Sequence, residues 1–313
     1  MTVVLYLVIA AAVLAFVVAS LERAVRYARA PLHLRWELYP VPHEKPARVA
    51  YGGSYFETSE WWKVPRHFSL IGELRFMVPE ILFLKALREN NRPLWFRSFP
   101  FHFGLYLLAG SCGLILLTAG LSVLQGRPIS GVVGTLLRET YTLGGVSGLV
   151  LALVGAAALL HRRLTAPDLR SYTTPGDILN LLFFLVAFGV LGVGYLLRPE
   201  GSAGVLTIVT GILRWDPTPQ VAPVFAAGLV VTSVLTAYIP LTHMSHFVAK
   251  YFTYHSVRWD DAPLRDNRRI AAAFAEYLTY RPTWSAPHMK AGGATTWAEV
   301  AATNPKVGGE KRS

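Results

Sequence analysis

Two histidines stand where long apolar runs open and close: His102 at the head of the run Phe101–Leu124, and His246 at the end of the run Val221–Phe247. An imidazole inside hydrocarbon is costly unless something binds it, so an intramembrane histidine is first a functional hypothesis. Two neutral rings that each offer one nitrogen satisfy the two axial positions of a b-type haem iron. His243 lies three residues before His246, about 60° away around a helix, so only one of the two points at a given iron. His246 is the favoured partner of His102, with His243 as the alternative. The competing reading of the same spacing is interfacial histidines that reach headgroups or backbone carbonyls. His161, beside Arg162 and Arg163, reads as such an anchor, and His33, His43, His67, His255 and His288 read as surface or partner contacts.

The elements that must hold these rings follow from composition. The chain has 313 residues, 53% hydrophobic and 16% charged, with mean hydropathy +0.38, where soluble domains carry about 25% charge. Five runs reach the roughly 20 residues that cross a bilayer: Thr2–Ser20, Phe101–Leu124, Tyr141–His161, Ile178–Leu197 and Val221–Phe247. Each reads as a helix, because an open strand leaves its backbone unsatisfied in lipid and the alternation of a barrel is missing. The first run is expected to be retained, since no basic residue precedes it and no small-residue cleavage site follows. Lys and Arg number thirteen, three and ten in the segments on one side of the spans, against two and two on the other. The basic side is the cytoplasmic one, which sets the N-terminus outside and the C-terminus inside.

The formal charge of +11 thus reflects topology and anionic headgroups rather than nucleic acid. The single cysteine, Cys112, falls in mid-span, so neither a disulfide framework nor a cysteine-held cluster is available, and any iron–sulfur cluster must belong to a partner. The expected fold is an all-α five-helix transmembrane bundle. Residues 1–20 form helix 1, residues 21–100 a folded cytoplasmic docking segment, residues 101–249 helices 2 to 5, and residues 250–313 a cytoplasmic C-terminal extension. Within the docking segment, Phe68–Asn90 predicts an amphipathic helix interrupted at Pro79, able to lie in the interface or cover a partner. ELYPVPHEKPARVAYGGSYFETSEWW before it reads as an ordered loop. Asp260–Tyr280 predicts a helix, and Ala291–Ser313, rich in Gly, Ala, Thr and Lys, an extended tail. No internal repeat, phosphate loop or hydrolase triad is present.

HRRLTAPDLRSYTTPGDILNLLFF from His161 to Phe184 and YIPLTHMSHF from Tyr238 to Phe247 resemble the gamma subunit of respiratory nitrate reductase. The resemblance covers Phe101–Phe252 and implies a five-helix cytochrome b that carries quinol electrons to a cytoplasmic iron–sulfur subunit. It places the axial ligands of the cytoplasmic-side haem on His102 and on His246, six residues after Pro240. The positions matching the ligands of the family's other haem are Cys112 and Gly228, which implies one haem b here. ELYPVPHEK, GGSYFE and EWW look more like the relatives paired with heterodisulfide-reductase-type iron–sulfur subunits, in sulfite-reduction-associated and transmembrane redox complexes. Such a partner ranks first, with membrane lipid around the bundle and room for further membrane or cytochrome c subunits.

The expected function is an electron-transfer subunit of a quinone-linked oxidoreductase complex in the cell inner membrane, exchanging electrons with menaquinone or ubiquinone. The alternatives are the gamma subunit of a nitrate reductase and, from another class, a haem-free membrane anchor. Arg138, His161, Tyr238 and Asp177 are polar groups near span ends, read as interface anchors before quinone contacts. A small-solute transporter is disfavoured because no span carries buried charges and no two halves share a broken-helix pattern.

Overall fold

The computed structural model describes residues 1–30, 39–263, 266–286 and 292–302. Among these the regular elements are helical, and five helices are long and apolar enough to cross a membrane. This is a multi-pass membrane protein. His33 and His288 lie outside the described residues.

The chain forms two compact units, Met1–Tyr27 with Leu70–Ala249 and Ala28–Ser69 with Lys250–Ser313. The stretch expected to be one docking segment is therefore divided at about Leu70 between them. In the first unit, α1 spans Thr2–Arg29, α2 Leu70–Phe83, α3 Lys85–Asn90, α4 Arg92–Leu124, α5 Gly131–Thr165, α6 Pro175–Leu196, α7 Val205–Arg214 and α8 Pro223–Tyr238. A last helix, α9, runs from His246 to Phe252.

Each long helix starts on a local signal. Asn91 caps α4 by accepting from the Leu94 amide at 3.1 Å, with Pro93 in the first turn. Thr174 and Asp177 form a reciprocal capping box at α6, just before and within a turn that opens on Pro175. Caps of this kind satisfy the amides that a helix start leaves unpaired.

Three boundaries differ from expectation. Helix α4 begins nine residues before Phe101 because Asn91 and Pro93 start it there, and it continues through Pro100, so His102 lies in its third turn. Helix α2 likewise continues through Pro79 and ends where Leu84 turns left-handed, φ 51°. The fifth span stops at Tyr238, followed by 3-10 turns at Ile239–Leu241 and His243–Ser245. His243 and His246 therefore lie beyond the span rather than in its last turns, because Pro240 cannot donate the next helical hydrogen bond.

Neighbouring spans pack in order, α4 on α5, α5 on α6 and α6 on α8, while α7 lies against α4. Two apolar clusters hold the bundle. Leu5, Tyr6, Ile208, Val221 and Phe225 anchor one, and Phe101, Ala152, Phe184, Phe188 and Leu235 the other. Large apolar side chains elsewhere point outward, among them Leu116, Leu143, Val186 and Val234, as lipid-facing surface requires. The α4–α5 contact is close enough that a Cβ on Gly155 would meet the Phe101 backbone nitrogen at 2.4 Å.

The second unit is tied together through Asp261, 7% exposed. Its carboxylate accepts from Tyr55 Oη at 2.9 Å and from Arg66 Nε at 3.0 Å. Burial, and then this carboxylate, push the Tyr55 hydroxyl above its ordinary pKa, so it remains a donor. The expected helix within Asp260–Tyr280 is Arg268–Leu278, capped by Asn267. The expected extended tail is contradicted at Trp297–Ala302, which is helical, with the Thr296 hydroxyl and the Glu299 carboxylate bonding each other's backbone amides.

Gly155→Val should lower stability by about 1–3 kcal/mol through overpacking. Gly113→Val, where a Cβ meets nothing within 4 Å, should leave it unchanged. Thermal unfolding of both variants in detergent checks the contrast.

Candidate functional site

The site is built at one end of the first unit, where the third turn of α4 meets the chain beyond Pro240. His102 and His246 come together with ring centroids 6.1 Å apart and planes at 63°. The contact sets two imidazole donors side by side, the kind of donor that would hold a metal.

His102 is oriented by its own helix. Its Nδ1 lies 2.8 Å from the Ser98 carbonyl oxygen and 3.2 Å from the Ser98 hydroxyl, one turn back. With Nδ1–H donated to that carbonyl, the tautomer leaves the Nε2 lone pair free for a metal, and such a bond strengthens an imidazole as a ligand. Phe101, packed edge-on against Phe184 at 4.9 Å, fixes the neighbouring backbone on the other side.

His246 is positioned by the break rather than by a continuous helix. Because the helix does not continue past Pro240, the carbonyls of Pro240 and Leu241 lack helical partners, and Arg23 of α1 donates to them at 3.3 Å and 3.2 Å. Thr242 then caps the 3-10 turn by accepting from the Met244 amide. Ser245 is buried, and Phe247 stacks on Phe16 of α1 at 5.9 Å with planes 3° apart. These contacts fix the start of α9, and with it His246.

His243 turns elsewhere. Its Nε2 is 4.0 Å from an Asp177 oxygen and 3.5 Å from Asn180 Nδ2, and its side chain is 67% exposed. Asn180, buried in α6, accepts from Tyr238 Oη at 2.9 Å, and Asp177 also faces Arg163 at 3.9 Å. Tyr238 and Asp177 thus belong to a polar network that fastens α6 to the end of α8. His161 is exposed. Arg138 pairs with Glu139 and lines a cavity of about 450 Å³ with Cys112, Tyr141, Tyr195 and Arg198.

A Cβ on Gly228 would fall 2.5 Å from the Leu191 Cα, so this glycine is where α8 and α6 touch backbone to backbone. Among the described residues no three His, Cys, Asp or Glu side chains gather as a metal cage. A porphyrin iron takes only two ligands from the protein, a donor set that His102 and His246 would supply.

Ser98, Asn180 and Arg23 were not singled out from sequence. Ser98 sits one helical turn before His102 and was legible from that spacing, whereas Arg23 reaches carbonyls more than two hundred residues away and left no local signal. The chain matches no known protein-family profile and no characterised protein.

Arg23→Met should cost about 1–2 kcal/mol by leaving the carbonyls of the break unpaired, seen as a lower melting temperature. Arg26→Met, whose exposed partner is Glu22 one turn back on the same helix, should change little, as exposed pairs do.

Proposed function

We propose that this protein is the membrane cytochrome b subunit of a respiratory complex in the cell inner membrane, relaying electrons between a menaquinone or ubiquinone pool and a cytoplasmic iron–sulfur subunit of heterodisulfide-reductase type. The observation that carries the reading is the pairing of His102 and His246, 6.1 Å apart, brought from different helices to one end of the bundle. The excess of Lys and Arg on that side supports a cytoplasmic location, with the N-terminus outside. The resemblance of His161–Phe184 and Tyr238–Phe247 to the nitrate reductase gamma subunit points the same way.

His102 and His246 would hold one haem b, which supplies one-electron transfer when bound. The chain's own part is to set the ligands and the surroundings. The Ser98 carbonyl fixes the tautomer of His102, the Arg23-held break fixes His246, and Phe101 and Phe184 give the first ring an apolar wall. Burial, ligand basicity and dielectric are the means by which a protein tunes such a potential. Gly228 and Cys112 support a single haem.

The same contact, with rings inclined at 63°, also suits two packed imidazoles in a haem-free anchor, and the test separates the two readings. A reduced-minus-oxidised absorption spectrum of the intact, haem-replete complex should show a b-type signal and one haem per chain. His102→Ala and His246→Ala should each abolish it, whereas His243→Ala should keep it. Absence of any b-type signal would establish the anchor, and survival of the signal in His246→Ala would move the ligand to His243.

A further inference from the structure

Helix α2 is apolar on most sides yet buries none of its side chains. Ile71 is 74% exposed, and Leu74, Phe76 and Phe83 are each about half exposed. The last carbonyls of α2 accept hydrogen bonds from α4, Ile81 from Tyr106 Oη and Phe83 from Trp95 Nε1, both at 2.8 Å. Phe83 also stacks on Phe99, which stacks on Phe103. Arg97 is the last charged residue before the uncharged stretch of α4. Trp95, Phe99 and Phe103 lie within about 9 Å of Arg97 along the axis, and Tyr106 about 13 Å from it. An exposed apolar helix joined to the start of a span has the character of an interfacial helix, which buries its apolar side among headgroups and acyl chains.

Beside that end the chain turns through Leu84 into a cleft of about 560 Å³, lined by Pro79, Phe83, Lys85, Arg88, Glu89 and Arg92. Three cations face one carboxylate there. Lys85 approaches Glu89 only to 3.8 Å, and Arg88 lies over the Trp95 ring at 5.5 Å. Pro79 and Phe83, the apolar residues of its lining, both belong to α2.

We propose that this cleft seats the phosphate headgroup of an anionic phospholipid, with Lys85, Arg88 and Arg92 around the phosphate and the acyl chains along Phe83 and the apolar face of α2. Charge and hydrophobicity select the occupant together, since basic pockets at membrane boundaries bind anionic headgroups while the adjoining helix offers an acyl chain a surface that water does not wet. The inference needs only a membrane-spanning chain and is independent of any haem.

The test uses the full chain, purified in detergent, stripped of lipid and offered phosphatidylglycerol or phosphatidylcholine of equal chain length, with bound lipid counted by native mass spectrometry. The native chain should retain phosphatidylglycerol with a preference of about tenfold, and the Lys85→Gln, Arg88→Gln, Arg92→Gln variant should fall to about parity. Arg138→Gln, at the other end of the bundle, should keep the preference. Inorganic phosphate at millimolar concentration should not displace the lipid. Equal retention of both lipids, a preference that survives in the neutralised variant, or displacement by inorganic phosphate would overturn the proposal. If the neutralised variant does not fold, the charge-keeping exchange Lys85→Arg, Arg88→Lys, Arg92→Lys decides instead. It should retain the preference, and its loss there would overturn the proposal equally.

Discussion

The first unit depends on how its fifth span ends. Pro240 cannot continue the ladder of α8, and carbonyls exposed by a helix end inside a membrane protein need partners. Arg23 of α1 supplies them at Pro240 and Leu241, so the first span is bound to the break although it lies more than two hundred residues away. The chain can then leave the axis of α8, make the short turn His243–Ser245 and restart at His246. A straight helix would have carried both histidines on along one axis. The break separates them, sending His246 to His102 and His243 to Asp177 and Asn180.

Close backbone contact is the second constraint. Gly155 against Phe101 and Gly228 against Leu191 let helices approach without side chains between them, the way small residues promote packing in a membrane. At Gly155 this seats the turn that carries His102. At Gly228 it leaves no room for a side chain between α8 and α6.

The five spans were legible from hydropathy because a bilayer imposes a length and forbids open strands. Span order alone predicted that His102 and His246 would lie near each other, and their rings do meet, although His246 lies beyond the span. Boundaries were less legible, since Asn91 and Pro93 start α4 well before its apolar run, and the prolines at 79 and 100 are tolerated within helices. The choice between His243 and His246 was open to helical spacing and is separated by a turn geometry that depends on Thr242 and Arg23. Within residues 21–100, α2 and α3 group with the bundle, joined to it by Tyr106 and Trp95 from a helix that the sequence places later.

A break in one helix and a serine carbonyl on another bring two imidazoles together, and the proposed function has them hold one haem. The most direct measurement is near-infrared magnetic circular dichroism of the oxidised, haem-replete protein. The account predicts the charge-transfer band of a low-spin ferric haem with two imidazole ligands, at one haem per chain. A spectrum of any other axial pair, or one unchanged in His246→Ala, would contradict it.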